Sequence, residues 1–250
     1  TSSDTTAPTA IVTTAAITNS GNAVVQSTET GTAYLVKTTV SVSNLASITG
    51  AADSQWNSVA ISSANTNTNL AATGLVDGTY KVYAVDAAGN LSSASTNSVT
   101  LDTTAPTVYS IYPADNQNGI SISDNITVTF SEAMEPSYVT TSTSDTYCAG
   151  TIRVSSDNFS SCVKMSSEPA SSNSNMTFTL DPYDNLTVST TYKTIVTTGV
   201  RDTAGNALSS QYVTSSGFTT TPRVFVAVGN SGKILTSSDG TSWDNRSSGT

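Results

Sequence analysis

Short runs of alternating apolar and polar residues, separated by turn-forming clusters, recur along the whole chain. The run Ile126–Phe130 alternates large apolar residues with threonine, the pattern of a half-buried antiparallel strand. The run Tyr80–Val85 has mostly apolar residues on both faces, as a central strand of a sandwich does. Clusters of Asn, Gly, Ser and Asp between such runs favour tight turns. The pattern therefore predicts an all-β protein.

The clearest runs fall into three groups along the chain. The first group of predicted strands comprises Tyr34–Val42, Ser58–Ile61, Thr79–Val85 and Asn97–Leu101. The second group comprises Val108–Tyr112, Ile126–Phe130, Thr151–Val154, Val163–Met165, Met176–Leu180, Thr191–Thr197 and Gly217–Thr220. A third, short group predicts a hairpin of Val224–Val228 and Lys233–Thr236, turning through Gly229–Gly232 and followed by a turn and Trp243. This last segment is too short to bury a core of its own.

A repeated hexapeptide marks the boundary between the first two groups. The sequence Asp4–Thr9 returns letter for letter as Asp102–Thr107, 98 residues later. One β-sandwich domain has about 100 residues, so the spacing indicates tandem modules opened by the same joint. The proline in each copy disfavours helix and central strand and stiffens the joint. We therefore predict two Greek-key β-sandwiches over 1–102 and 103–221 and a β-hairpin tail over 222–250.

Composition supports a β-rich chain and narrows its function. Charged residues make up 11% of the chain, against about 25% in ordinary soluble domains, and Ser and Thr are abundant. A disordered stalk shares this composition but lacks such regular apolar runs. The net charge of −9 disfavours nucleic acid as a partner and favours divalent cations. The absence of His removes the commonest general base and zinc ligand.

Two cysteines, Cys148 and Cys162, lie across a glycine-containing stretch. In an exported protein, this spacing suits a local disulfide that closes a loop, whereas a pair of reduced buried thiols is the alternative. No run approaches the ~18 apolar residues of a membrane span, so we expect none in this chain. No basic start followed by an apolar segment occurs, so any export signal is expected to be absent from these residues.

Several motifs are similar to those of bacterial Ig-like repeats in large surface and secreted proteins. In the first module they are Val76–Tyr80, Asp86–Asn90 and Leu101–Pro106. In the second module they are Tyr112–Asp115, Gly119–Ile120, Asn125–Met134 and Val200–Asn206. Tyr80 and Tyr192 stand where such folds place a tyrosine corner. The resemblance implies spacer or adhesive modules outside the cell or on the bacterial surface, and Ca²⁺ near the domain joints.

The tail resembles the opening of an Asp-box or photosystem-assembly-factor type of β-propeller. The similar residues are Val226–Gly232, Ile234–Gly240 and Trp243. In such repeats the Asp-box is a structural turn. Propellers need about four or more blades, and this chain has at most one. The resemblance therefore implies either a longer native protein or a strand that pairs with another molecule.

The best candidate site is a Ca²⁺ site at the first joint. Asp86 and Asn90 lie in the loop before the last strand of the first module, and Asp102 lies at the end of that strand. Asp202 and Asn206 hold the matching loop positions in the second module. Carboxylates, Asn and backbone carbonyls are the oxygen ligands that Ca²⁺ prefers, and a bound ion would stiffen the hinge. The alternative is that these residues only form Asx turns.

Catalytic interpretations are weak. Asp124, Glu132 and Glu135 could pass for the paired carboxylates of a glycosidase, but Glu132 belongs to the Ig-like motif itself. Tyr109, Tyr112 and Trp56 are either contacts for sugar or protein, or core residues. We therefore predict no catalytic residues and no enzyme activity.

The sequence favours an extracellular structural or adhesive module, a stalk or spacer that binds a protein or glycan receptor or associates with itself. The first alternative is a subunit of an extracellular fibre that polymerises by adding its C-terminal strand to a neighbour's sheet. The second alternative is a set of accessory domains of a larger carbohydrate-active enzyme.

Overall fold

A computed structural model describes residues 4–230, 233–238 and 240–247. Two predicted tail motifs, the Gly229–Gly232 turn and the Asp-box around Asp239, lie partly outside these ranges. The contacts between Cα atoms divide the chain between Ala105 and Pro106, and they group the loop Arg201–Ala207 with the first unit. Below, the first unit comprises the residues before Pro106 together with that loop, and the second unit comprises the remainder.

The first unit contains two sheets with one apolar core between them. Its strands are β1 Ala10–Val12, β2 Ala15–Ile17, β3 Asn22–Ser27, β4 Gly31–Lys37, β5 Trp56–Ile61, β6 Thr68–Ala71, β7 Gly78–Asp86 and β8 Val99–Leu101. The sheet orders are β1-β3-β6 and β2-β8-β7-β4-β5. All pairs are antiparallel except β2 with β8. Val25 and Leu70 from one sheet and Leu35, Val82 and Val99 from the other are fully buried in the shared core.

The segment between β4 and β5 differs from the predicted strand Tyr34–Val42. The strand ends at Lys37, and Val40 N–H donates to the Lys37 carbonyl in a tight turn. The chain then forms the short helix α1, Leu45–Thr49, and a 3-10 turn, Asp53–Gln55. Asn44 caps α1 because its side chain accepts the Ser47 N–H and its own N–H donates to Ser47 Oγ.

The sandwich of the second unit, which precedes the tail, repeats the two-sheet arrangement. Its strands are β9 Val108–Tyr112, β10 Asn118–Ile120, β11 Ile126–Phe130, β12 Ile152–Ser155, β13 Ala170–Ser172, β14 Thr177–Leu180, β15 Thr191–Val196, β16 Tyr212–Val213 and β17 Phe218–Thr220. The sheet orders are β13-β14-β11-β9 and β10-β17-β15-β12, with β16 also paired to β15. As in the first unit, the second strand runs parallel to the last, here β10 with β17. Val128, Phe130, Phe178, Val154 and Phe218 meet in the core.

One predicted strand of the second unit is wrong. Val163–Met165 forms only an isolated bridge, between Met165 and Pro182, besides a hydrogen bond from Val163 N–H to the Val154 carbonyl. Proline has no N–H to donate, so a ladder cannot continue through Pro182.

The predicted disulfide is confirmed. Cys148 and Cys162 are bonded, with their Cα atoms 5.0 Å apart, and the bridge closes the loops on either side of β12. Cys162 is buried, and its N–H donates to the Thr146 carbonyl.

The tail forms a small antiparallel sheet rather than a hairpin alone. Its strands are β18 Phe225–Val228, β19 Lys233–Ser237 and β20 Asp244–Ser247, in that order. The third strand, β20, follows Trp243, where the sequence predicted no strand. Among the described residues, the structure has no helix with the length and apolar character needed to cross a membrane.

Candidate cation centres at the Asp-x-Ala-Gly-Asn loops

Each Asp-x-Ala-Gly-Asn loop is a closed turn in which the last residue holds the first. Asn90 donates from its backbone N–H to Asp86 Oδ1 (2.8 Å) and from Nδ2 to Asp86 Oδ2 (2.7 Å). Asn206 repeats both bonds to Asp202, at 2.9 and 2.8 Å. The glycine of each loop has a left-handed φ, +94° and +99° respectively, which favours glycine there. The two loops therefore share one hydrogen-bonded geometry.

Each loop also holds the first residue of one copy of the repeated hexapeptide. Asn90 Nδ2 donates to the Asp4 carbonyl at 3.1 Å, and Asn206 Nδ2 donates to the Asp102 carbonyl at 3.0 Å. The Asp of each copy accepts the backbone N–H two residues later, at 2.9 Å in both cases. The asparagine side chain thus connects the loop to the joint peptide.

These contacts bring carboxylates together. Oxygen atoms of Asp4, Glu29 and Asp86 lie within 4.8 Å of one another, and the same limit holds for Asp102 and Asp202. Asp86 is 8% exposed and Asp202 is 1% exposed, so each group includes a buried acid. Buried carboxylates need hydrogen bonds or counter-charges to stay ionised.

The protein keeps Asp86 ionised through hydrogen bonds. The Asn90 side chain contributes most to lowering the pKa of Asp86 below its ordinary value, and the backbone N–H groups of the loop add to it. Burial acts in the opposite direction on this pKa but is outweighed.

The structure regroups the predicted ligand residues. Asp86 and Asn90 lie with Asp4, whereas Asp102 lies with Asp202 and Asn206. The sequence-based prediction placed Asp102 beside Asp86 and Asn90, but Asn90 bonds the first copy of the hexapeptide and Asn206 bonds the second. Asp4 and Glu29 were not predicted.

The carboxylates of Asp4, Glu29 and Asp86 form the first candidate centre, and their oxygens are of the kind that Ca²⁺ binds. Three carboxylates offer up to six oxygens, and Ca²⁺ takes six to eight oxygen ligands, commonly with water among them. Both asparagines direct an amide N–H at a carboxylate, so in this geometry Asn90 and Asn206 orient the acids. Like charges held this close repel one another, and a divalent cation would relieve that repulsion.

Two of the acids considered for catalysis have local structural partners. Glu135 accepts the backbone N–H and hydroxyl of Ser137 and caps the 3-10 turn Pro136–Tyr138. Asp124 accepts the hydroxyl of Tyr112 at 2.7 Å, and this bond raises the pKa of that tyrosine. Glu132 follows β11 as a half-buried residue.

The aromatic residues singled out from the sequence have different surroundings. Tyr109 is 78% exposed and Tyr112 is 41% exposed on β9, so neither is a core residue. Trp56, at the start of β5, is half-buried and packs against Tyr34 with ring centroids 5.9 Å apart.

Both units have the two-sheet arrangement of Ig-like β-sandwiches, with a parallel pairing of the second and last strands in each. Residues 102–220 match the family model of a bacterial Ig-like domain, which covers slightly less than half of the chain. A comparison with the curated proteins returns no match.

Three solved structures illustrate the structural likeness. The surface layer protein SbsC, domains 1–6, is 16% identical with a TM-score of 0.35 over 58% of this chain and 19% of that one. The BSP domain of a biofilm-associated protein is 13% identical with a TM-score of 0.25 over 86% and 29%. The titin domains z1z2 in complex with telethonin are 11% identical with a TM-score of 0.25 over 87% and 98%. The chain thus spans about a fifth of the length of the first of these proteins.

Proposed function

We propose that this chain is a non-enzymatic structural or adhesive module outside the cell, a stalk or spacer of a bacterial surface protein whose joints are stiffened by Ca²⁺. The observation that carries the proposal is the repeated clasp: each Asp-x-Ala-Gly-Asn loop binds the opening residue of one joint peptide through its asparagine. A joint fixed at its first residue bends less than a free linker. The disulfide suits an oxidising environment, which supports export.

Ca²⁺ would add to this clasp by bridging Asp4, in the joint, to Asp86, in the loop. Glu29 follows β3 and supplies a carboxylate from a third segment. An ion held by three separate segments restrains all of them together. Binding to the folded state alone stabilises it by about 2.7 kcal/mol when free Ca²⁺ is a hundredfold above Kd.

Thermal unfolding in millimolar Ca²⁺ and in EDTA tests the cation. We expect a higher midpoint in Ca²⁺, and a smaller difference for Glu29→Gln, which removes one carboxylate without breaking the Asp86–Asn90 bonds. Asp184→Asn removes the same charge from an exposed position in the second unit and should keep the full difference. Identical melting curves in Ca²⁺ and EDTA would rule out a bound cation.

Strand addition through the tail is the second candidate function. Val226 and Val228 on β18 are 60% and 79% exposed, and in the described tail sheet this strand pairs on one side only. An edge strand with exposed apolar residues favours pairing with another chain. Size-exclusion chromatography of the chain with and without 222–250 distinguishes the two functions, because monomers in both cases exclude a fibre.

A further inference from the structure

A polar hollow of about 240 Å³ opens beside Trp56 in the first unit. It is lined by Asp53, Trp56, Asn57, Ser58 and Thr73. These residues belong to the 3-10 turn, the beginning of β5 and the turn after β6. Since β5 ends the order of its sheet, the hollow lies at a sheet edge.

Several polar side-chain groups at this hollow make no hydrogen bond within the described part of the chain. Trp56 Nε1 is buried and lacks a hydrogen-bond partner among the described residues. Within the same described part of the chain, the side chains of Asp53, Ser58 and Thr73 also make no hydrogen bond. The carboxylate of Asp53 and the hydroxyls of Ser58 and Thr73 are exposed, so they can bond a ligand that lies against the indole.

The wall that carries Asp53 is held rigidly. The Ser54 carbonyl accepts the Val76 N–H at 3.1 Å and the Tyr80 hydroxyl at 3.4 Å. Tyr80 is fully buried, so this hydroxyl is fixed by the core of the sandwich. The 3-10 turn therefore presents Asp53 in a defined position.

The wall that carries Thr73 is fixed by a separate set of bonds. Asn57 Nδ2 donates to the Ala71 carbonyl at 2.9 Å, and Leu75 N–H donates to the Ala72 carbonyl at 3.1 Å. These bonds hold the turn after β6 against β5. Preformed walls lower the entropy that a ligand loses on binding.

The lining defines the class of ligand. Asp53 is the one charged residue among the lining side chains, and the chain has a net charge of −9, so an anionic ligand is disfavoured. The volume is below the roughly 300–1,000 Å³ of sites for drug-sized molecules, which limits the ligand to about one ring. A sugar ring combines hydroxyls for Asp53, Ser58 and Thr73 with an apolar face for the indole.

We propose that this hollow binds one neutral pyranose ring of a glycan. The proposal rests on the adhesive part of the function above and names its ligand class. Trp56 lines the hollow, so a bound ring changes the surroundings of its indole.

Indole signals of the full chain test the proposal. The chain has two tryptophans, and Trp243→Phe leaves Trp56 as the single fluorophore. We expect a saturable emission shift with at least one of the methyl pyranosides of glucose, galactose, mannose and N-acetylglucosamine. Sorbitol, an open-chain polyol, should give none. The Nε1–H resonance of Trp56 in the ¹⁵N-labelled unsubstituted chain should move in the same titrations.

Variants locate the site. Asp53→Asn and Thr73→Ala should each weaken the binding at least fivefold, whereas Thr14→Ala, outside the hollow, should leave it unchanged. The proposal is overturned if no pyranoside gives a saturable change, if sorbitol gives an equal one, or if Asp53→Asn binds with unchanged affinity. Melting of the same Trp243→Phe protein in Ca²⁺ and EDTA separates the two proposals, since a retained Ca²⁺ shift without sugar binding rejects only the sugar site.

Discussion

Asn90 connects its loop to the first copy of the hexapeptide, because its side chain bonds both Asp86 in the loop and the carbonyl of Asp4. We predict that Asn90→Ala lowers the free energy of unfolding by about 1–2 kcal/mol, the usual range for losing such bonds. The pKa of Asp86 should rise towards its ordinary value. Carboxyl ¹³C titration by NMR measures the second effect. An unchanged pKa would show that Asn90 does not control Asp86.

Asp157 gives a separate test of hydrogen bonding to a carboxylate. The hydroxyl and N–H of Ser161 and the hydroxyl of Ser155 lower the pKa of Asp157 to about 2. A pKa lowered by folding gives stability that is present above the ordinary value of 3.8 and is lost as the pH falls towards 2. Ser161→Ala should raise the pKa of Asp157 in an NMR titration. Ser160→Ala, whose hydroxyl makes no bond in the described structure, should not.

The sequence identified the loop residues Asp86 and Asp202 as candidate ligands, but it did not identify Asp4 and Glu29, which lie beside Asp86. Asp4 was available from the hexapeptide repeat, since it holds the position of Asp102 in the other copy. No local sequence pattern identifies Glu29, because the residues that lie beside it, Asp4 and Asp86, are far from it along the chain. The joint that each loop holds depends on strand topology, which local patterns do not encode.

Tyr80 connects β7 of the first sandwich to neighbouring segments through its hydroxyl. Tyr80 lies on β7, and its hydroxyl donates to the Val76 carbonyl at 2.5 Å and lies 3.4 Å from the Ser54 carbonyl in the 3-10 turn. Tyr192 repeats the corner in the second unit, where its oxygen accepts the Thr187 N–H at 2.9 Å. Tyr80→Phe should destabilise the chain by about 1–3 kcal/mol, because the Val76 carbonyl loses the Tyr80 hydroxyl as its donor. Urea unfolding measures this loss.

The matched control for that corner is Tyr83→Phe on the same strand. Tyr83 is half-buried, and its hydroxyl has no hydrogen-bond partner in the described part of the chain. Its removal should therefore change stability little. Equal losses for the two variants would contradict a specific role for the Tyr80 corner.

The disulfide stabilises the segment around β12. Closing a loop of about 15 residues is worth about 3 kcal/mol in the chain-entropy description. The double variant Cys148→Ser, Cys162→Ser should lose roughly that much in denaturant unfolding, and a reducing agent should affect the original chain but not the variant. Unchanged stability of the double variant would show that the loop is fixed by its other bonds.

Strands with strong alternation were predictable, and short edge strands were not. β11 coincides with the predicted range because Ile126, Val128 and Phe130 alternate with two threonines. β2 and β10 have three residues each, too few for a pattern, and their parallel pairing comes from the tertiary fold. The early end of β4 at Lys37 likewise depends on the turn and helix that follow.

At the scale of the whole molecule, the repeat in the sequence corresponds to a repeat in structure. Thr9 N–H donates to Thr28 Oγ1 and Thr107 N–H donates to Ser131 Oγ, so each proline-bearing segment enters its sandwich in the same way. The apolar cores of the two sandwiches are separate clusters. Separate cores and equivalent entry segments are the features expected of tandem modules.

Single-molecule force spectroscopy of the chain between two handles tests the mechanical role most directly. We predict two unfolding events, each releasing roughly 100 residues, about 350 Å of extended chain less the folded span. Millimolar Ca²⁺ should raise the unfolding force relative to EDTA. A single event that releases the whole chain, or extension without resolved events, would contradict the proposed role of the chain as a stalk of two independently folded modules.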